Sequence, residues 1–345
     1  MNDVVAALLG RNAPMAVDQW TELWGSLNAG EIDRAELTAM LGSLTTHLPD
    51  RVSLANFVTS LRERRPPEPL WPQTVNVVGT GGGPSTFNVS TAAAFVAAAA
   101  GVKVVKSGSR AYSSALGSID LLERLGIKTT KSNDEARSSL GGNGLAFTGQ
   151  HVYPAELTRI ARTIYPTAMK SFGRFLNALG PFIAALPASA QLTGVSRRYP
   201  MEELRHLASE EHTRDIWLCT NPEGVDELLS FTDNVIEVSG SYRIKLSTGS
   251  LTSGRGSLVD LRPVMDQEAA VEHFLDVVAG RHSRTASETV CLNAAALAVA
   301  SGRTPQWKDA YQQAEQAMHE GTALDLVHRM RSDKAASARK ALAHV

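Results

Sequence analysis

Two stretches of the chain hold side chains whose types and spacing suit a negatively charged ligand. Gly79-Thr80-Gly81-Gly82-Gly83-Pro84-Ser85-Thr86 runs into Asn88-Val89-Ser90-Thr91, where an alanine-rich helical pattern begins. Glycines let a ligand approach the backbone and expose N–H groups, Ser90 and Thr91 add hydroxyls, and a helix N-terminus adds positive partial charge, so the loop suits a phosphate or diphosphate. The alternative is an ordinary glycine turn with Ser90 as helix N-cap. The second stretch, Lys106-Ser107-Gly108-Ser109-Arg110, follows the next apolar run. A neighbouring parallel strand would therefore deliver a cation to the same carboxyl edge of the sheet, where open α/β folds bind ligands. Further along, Asp226-Glu227 places two carboxylates side by side. These are hard oxygen ligands for a Mg²⁺ that also keeps waters and phosphate oxygens; the alternative is acidic charge complementing a helix N-terminus.

The same residues argue against two common nucleotide sites. A Rossmann site wants an acidic residue for the ribose near the end of the second strand, where this chain has lysine, and a Walker A loop would close on Gly-Lys-Ser/Thr, which is absent here. Lysine plus arginine (34) nearly balance aspartate plus glutamate (35) across 345 residues, so no global field recruits nucleic acid or an anionic membrane. Any anion site has to be built locally. Cys219 and Cys291 sit far apart in apolar contexts without metal-ligand or redox spacing, and read as buried, reduced thiols. No basic stretch precedes an apolar signal core, and the most apolar run, Ala92 to Val102, is too short to span a bilayer. The expectation is a cytoplasmic protein.

The elements that must position these groups follow from periodicity. Residues 3–65 carry helix-spaced apolar positions, among them Trp20, Leu23, Leu27, Leu37, Leu41, Leu44, Phe57 and Leu61, and predict a small bundle of about four helices. The charged, proline-rich stretch Arg62 to Pro69 reads as an exposed connection. Beyond it the pattern alternates: strands at Val75–Val78, Val102–Val105, Leu145–Phe147, Gln191–Val195, Ile216–Leu218 and Val235–Val238, with helices between, and three more helices from about Met265 to His319. The fold class expected is α/β: a small all-helical domain, residues 1–70 joined by helices around 166–186, on a larger domain of residues 71–165 and 187–345 with a mainly parallel central sheet and flanking helices. The charged, alanine-rich last dozen residues read as a terminal helix.

Taken in order, Gly79-Thr80-Gly81-Gly82, Asn88-Val89-Ser90-Thr91, Lys106 to Arg110 and Ser113 to Leu122 resemble the signature blocks of the anthranilate phosphoribosyltransferase family. Later blocks, Asn177-Ala178-Leu179-Gly180-Pro181, Gln191 to Val195, Gly224-Val225-Asp226-Glu227 and Leu292 to Ala296, are similar too, so the resemblance spans nearly the whole chain. It implies transfer of 5-phosphoribosyl from phosphoribosyl pyrophosphate to a small aromatic acceptor in a hinge cleft, with Mg²⁺, two ions, as cofactor and a homodimer formed through the helical domain. It also implies roles: Gly79, Thr80, Gly81, Gly82, Asn88, Ser90, Thr91, Lys106 and Ser118 hold phosphoribosyl pyrophosphate, Ser90 belongs to a first Mg²⁺, and Asp226 and Glu227 hold a second. Lys106 would neutralise departing charge, which makes it a catalytic candidate.

The chain departs from the family pattern beside the site. The family's aspartate after the glycine loop is Gly83, and its Lys-His-Gly-Asn-Arg block reads Lys106-Ser107-Gly108-Ser109-Arg110. Its His-Pro-Ala-Met-Lys segment reads Tyr153-Pro154-Ala155-Glu156-Leu157, with extra residues before Asn177. The family holds the acceptor carboxylate with an arginine from this stretch; Arg162 is the candidate, as a catalytic and acceptor-binding residue, with Arg159 and Arg174 as alternatives. Ser107, Ser109, His151 and Tyr153 complete the expected acceptor wall. Since the diphosphate end matches better than the acceptor end, the reading favours an acceptor other than anthranilate, such as a hydroxybenzoate-like or heteroaromatic acid, with anthranilate the runner-up. Pyrimidine nucleoside phosphorylases share a Lys-Ser-Gly spacing, but the Asp226-Glu227 pair resembles the transferases more. A nucleic-acid-binding relative that has lost transfer ranks third, because it needs a basic stripe.

Overall fold

The protein is described by a computed structural model covering residues 1–108 and 117–331. The sequence blocks at Ser109, Arg110 and Ser113 to Leu116, and the expected terminal helix, lie outside the described residues.

Four helices open the chain: α1 (Asp3–Gly10), α2 (Val17–Ala29), α3 (Arg34–Thr46) and α4 (Arg51–Arg62). Local chemistry sets their starts. Asp33 accepts from the Glu36 amide at 2.8 Å while Glu36 reaches back to the Asp33 amide at 3.0 Å, a reciprocal cap at the start of α3. Asp50 caps α4 through the Val52 and Ser53 amides. Trp20, Trp24 and Phe57 pack edge-to-face and stacked at the bundle centre, and the indole N–H groups of Trp20 and Trp24 donate to the Ser53 carbonyl and the Ser60 hydroxyl.

The α/β part then follows as β1 (Trp71–Gly79), α5 (Val89–Ala99), β2 (Lys103–Ser107), α6 (Ser118–Leu125), α7 (Asn133–Asn143), β3 (Leu145–Thr148), α8 (Ala155–Thr163), α9 (Gly173–Ile183), β4 (Ala188–Gly194), α10 (Met201–Ser209), β5 (Asp215–Thr220), β6 (Asn234–Val238) and β7 (Tyr242–Leu246). Helices α11 (Gln267–Val278), α12 (Arg284–Ala300) and α13 (Trp307–His319) follow, with helix again over residues 322–331. The seven strands lie in the order β3-β2-β1-β4-β5-β6-β7, the first five parallel and the last two antiparallel. From β1 the chain moves outward through β2 and β3, then returns to lay β4 on the other side of β1. That reversal opens a crevice at the carboxyl end of β1, the place where ligands of such sheets bind.

β7 carries no strand signal that the sequence reading recognised. Its alternation is weak because Arg243 and Lys245 face solvent on an edge strand and only Leu246 is buried. A turn with Ser239 and Gly240 at positive φ returns the chain from β6 to β7.

Alternation along β5 divides the molecule's interior. Trp217 and Cys219 join the core that α5, α11, α12 and α13 build on one face of the sheet, while Ile216 and Leu218 join the core of the helical lobe. That second core holds residues of α1 to α4 together with Ile160 of α8, Phe175, Leu179 and Phe182 of α9, and Leu204 and Leu207 of α10. α5 is buried almost all round, and its alanines pack against those of α12 in one core. Among the described residues no helix is long and apolar enough to cross a membrane.

Candidate active site

A cavity of about 680 Å³ opens at the carboxyl edge of the sheet. One end is charged and hydrogen-bonded. The Gly79–Thr86 loop forms its floor, the first turn of α5 contributes Ser90, and the end of β2 contributes Lys106 and Ser107. Lys106 is only 4% exposed, and its ammonium donates to the Ser90 hydroxyl at 3.1 Å. Burial lowers the Lys106 pKa to about 8, against the opposing pull of Glu227 and Asp226, which favour the charged form.

The two acidic residues face this lysine from a loop after β5. Asp226 Oδ2 accepts from the Gly81 amide at 2.7 Å, and Glu227 Oε2 accepts from the Thr86 hydroxyl at 3.2 Å. Burial raises both carboxyl pKa values; for Glu227 the charge of Asp226 adds to the rise, and Lys106 opposes it in both. No helix starts at Asp226, so the alternative role as a macrodipole partner falls away. Nor is Ser90 the N-cap of α5: Asn88 holds that position, and Ser90 stands two residues inside.

Close approach of backbones makes this arrangement possible. A Cβ on Gly79 would lie 2.2 Å from Asp226 Oδ2, and one on Gly194 would lie 1.6 Å from the Asp226 carbonyl oxygen. Gly79 and Gly194 are register partners on β1 and β4, so the two strand ends jointly leave the slot that Asp226 fills. Ser196 braces the loop from beneath: its amide donates to Thr80 Oγ1 at 3.1 Å and its hydroxyl to the Gly81 carbonyl at 2.8 Å.

The other end of the cavity is mostly apolar. Tyr153, Leu157, Met169, Leu176, Pro181 and Ile183 line it, with Asn177, Gln150 and Ser107 as polar points. Ser107 also hydrogen-bonds the hydroxyl of the partly buried Tyr153, and its amide and Oγ donate to Asn76 Oδ1 at 3.3 and 3.4 Å. Asn76 in turn donates to Gln191 at 2.9 Å, a buried polar link between β1 and β4.

Of the residues singled out in the sequence, Gly79, Thr80, Gly81, Gly82, Asn88, Ser90, Lys106, Ser107, Ser118, Tyr153, Asp226 and Glu227 all line this one cavity. Three others stand away from it. Thr91 is fully buried, because the next step of the helix turns it off the face that Ser90 presents. His151 sits among Thr130, Glu135 and Arg65, where burial lowers its pKa. Arg162 is exposed in the last turn of α8. The alternatives fare no better: Arg159 bonds the Asn28 side chain, and Arg174 donates to the Thr46 carbonyl at 3.4 Å, both tied to the helical lobe. Ser109 lies outside the described residues.

The sequence reading gave Thr86 no role of its own within the glycine loop, and it overlooked Ser196, Met169 and Leu176. Thr86 and Ser196 carry a signal only after the fold is known, since each acts on a loop distant in sequence. Met169 and Leu176 read as ordinary core residues. The donor set suits a hard divalent cation: two adjacent carboxylates, recessed but open to the cavity, with a single ammonium nearby.

Comparison with known proteins identifies the family. The family model described as "Glycosyl transferase family, a/b domain" matches residues 71–324. The anthranilate phosphoribosyltransferase of Geobacillus kaustophilus is 31% identical over 318 residues, covering 90% of this chain and 93% of that protein. The one from Priestia megaterium is 30% identical over 335 residues, covering 94% and 95%. Among solved structures, anthranilate phosphoribosyltransferase from Thermus thermophilus has a TM-score of 0.78 at 25% identity, covering 97% of this chain and all of that one. The Saccharomyces cerevisiae enzyme in complex with PRPP and Mg shares the fold, with a TM-score of 0.75 at 20% identity over 93% of this chain and 92% of that one. Matched along almost its full length in sequence and in fold, the chain belongs to the anthranilate phosphoribosyltransferase family.

Proposed function

We propose that the protein transfers 5-phosphoribosyl from phosphoribosyl pyrophosphate to a small aromatic acceptor and releases pyrophosphate. One observation carries this reading: Lys106, Ser90, the glycine loop and the Asp226–Glu227 pair meet in a single cavity whose other end is an apolar wall. In the transfer, the bond from ribose C1′ to the pyrophosphate oxygen breaks, a bond from the acceptor nucleophile to C1′ forms, and the nucleophile gives up its proton to solvent. Charge builds on the departing diphosphate, and positive character builds on the ring. The Lys106 ammonium, oriented by Ser90, and the amides at the start of α5 stabilise the departing charge. Asp226 and Glu227 would hold Mg²⁺, which supplies Lewis-acid neutralisation of the diphosphate when bound; we assign two ions to the site, Ser90 belonging to the other. The apolar wall orients the acceptor ring and excludes water from C1′.

For the acceptor, two readings remain in competition. Departures at Ser107 and Tyr153, and the position of Arg162, Arg159 and Arg174 outside the cavity, favour an aromatic other than anthranilate. Relatives named anthranilate phosphoribosyltransferase, at 31% and 30% identity over most of the chain, favour anthranilate at least as strongly. We further propose a two-lobed enzyme, hinged between the helical lobe and the sheet, that pairs through the helical lobe as a homodimer. The deciding experiment incubates the protein with phosphoribosyl pyrophosphate, Mg²⁺ and a panel of aromatic acceptors, reading pyrophosphate release and product mass. Release dependent on one acceptor and a product heavier by phosphoribosyl are expected; no turnover with any aromatic would overturn the reading. Robust anthranilate turnover would retire the altered acceptor alone.

A further inference from the structure

We propose that Asp226 is an internal occupant of the diphosphate cradle: its carboxylate holds the Gly81 amide that a diphosphate oxygen would take, so the anion settles only when a divalent cation draws that carboxylate away. The inference rests on the transferase reading above and adds a second role for a residue otherwise assigned to metal alone.

The contact is short and the fold is cut to admit it. Gly81 donates to Asp226 Oδ2 at 2.7 Å, a length typical of an amide bonded to a charged oxygen. Only the missing side chains of Gly79 and Gly194 leave room, since a Cβ at either position would come within 2.2 Å of the carboxylate or 1.6 Å of the Asp226 carbonyl. Two neighbouring strands thus end in glycine at paired positions around one carboxylate. A carboxylate oxygen presents the same lone pairs to an amide as a phosphate oxygen does, so Asp226 and the ligand compete for one donor.

Its neighbour is held differently. Glu227 is bonded to the Thr86 hydroxyl, which rotates freely, and takes no amide from the loop. The acidic pair is therefore asymmetric, one member seated in the cradle and one beside it. Lys106 opposes both carboxylates, and a diphosphate arriving without metal meets two acidic side chains as well as an occupied donor. A divalent ion removes both obstacles, which makes metal and diphosphate binding mutually reinforcing.

Calorimetric titration with inorganic pyrophosphate, in chelator and in Mg²⁺, tests the idea on three variants. Asp226→Ala removes charge and occupant; Asp226→Asn removes charge but keeps an oxygen for Gly81; Glu227→Gln removes an adjacent charge, keeps an oxygen for Thr86 and leaves the Gly81–Asp226 contact in place. In chelator, Asp226→Ala is expected to bind pyrophosphate at least about tenfold more tightly than the parent, the scale of one charge-assisted hydrogen bond, with clearly smaller gains for the other two. In Mg²⁺ the advantage disappears or reverses. Equal gains in all three would mean charge alone is responsible, and no gain in Asp226→Ala would mean Gly81 is not a ligand donor; either outcome overturns the proposal. Amide exchange at Gly81 gives a reading free of catalysis: it should change when Mg²⁺ and pyrophosphate are added together to the parent, and an unchanged rate counts against the occupant. Failure of the parent to bind pyrophosphate even with Mg²⁺ would instead strike the transferase reading itself.

Discussion

The two ends of the cavity are built on different principles. At the charged end, proposed to take the diphosphate, each group is pinned by a polar contact: Lys106 to Ser90, Asp226 to Gly81, Glu227 to Thr86, Ser196 to the glycine loop. At the acceptor end the wall is mostly apolar surface from β3 onward through α8 and α9, with Ser107 and Tyr153 as the linked polar pair. Charge recognition demands particular atoms at particular distances, whereas a hydrophobic wall needs only shape and volume. Divergence from the family is accordingly broader toward the second end, around Tyr153 to Leu157 and at Ser107 on the boundary, while the glycine loop departs at Gly83.

The contrast is broken most directly by removing its central cation. Lys106→Ala is expected to lower turnover at least about a hundredfold, as for loss of a preorganised charge, with folding retained. Pyrophosphate release with saturating acceptor measures it, and an unchanged rate would take Lys106 out of the chemistry.

Restoring the family's aspartate is expected to fail here. A Cβ on Gly83 would lie 2.6 Å from the Gly224 carbonyl oxygen and 2.9 Å from Ser196 Cβ. Gly83→Asp should therefore cost roughly 1–3 kcal/mol of stability through overpacking, and weaken diphosphate binding as the loop moves. Denaturant unfolding and pyrophosphate titration would show both; a variant of parental stability would mean the loop relaxes freely.

The acceptor end should respond in KM rather than in turnover. Tyr153→Phe removes the hydroxyl bonded to Ser107 while keeping the ring, and is expected to raise the acceptor KM by about five- to tenfold, one hydrogen bond, leaving the phosphoribosyl pyrophosphate KM within about twofold. Equal changes in both KM values would erase the division between the ends.

pH separates the ends as well. With its pKa at about 8, Lys106 loses its proton as pH rises through that value, so diphosphate affinity should fall on the alkaline side. Because Asp226 and Glu227 have raised pKa values, lowering the pH protonates them earlier than free carboxylates and should weaken Mg²⁺ binding on the acid side. The stability sign is opposite for the lysine: the unfolded chain binds that proton more tightly, so the contribution of Lys106 to stability rises with pH from about 8 toward the free-lysine value. Titrations of Mg-pyrophosphate across pH, with Lys106→Met lacking the alkaline limb, check the assignment. The smallest effect is expected at Arg162→Ala, within about twofold in every constant, because exposed side chains away from the site contribute little. A loss in acceptor affinity beyond tenfold would bring Arg162 back to the site.

Much of this was legible before any coordinates. The helix periods of Trp20 to Leu61 and the β runs from Val75 to Val238 announced helices and a parallel sheet, since period and propensity act locally. The glycine loop, Lys106 and Asp226-Glu227 announced anion and cation chemistry, because such chemistry admits few residue types. β7 was illegible because an edge strand needs apolar residues on little of its length. Thr91 and Arg162 were misplaced because neither the face a side chain presents nor the lobe an arginine reaches for is a local property.

By itself, then, the sequence determined the fold class and pointed to diphosphate chemistry, each through short motifs that are local in the chain. Tertiary structure decided that Gly79 and Gly194 open a slot for Asp226, that Ser196 braces the loop, and which side chains wall the acceptor. These depend on contacts between segments more than a hundred residues apart or on surfaces assembled from several elements, and only packing the sheet against its helices brings them within reach of one another.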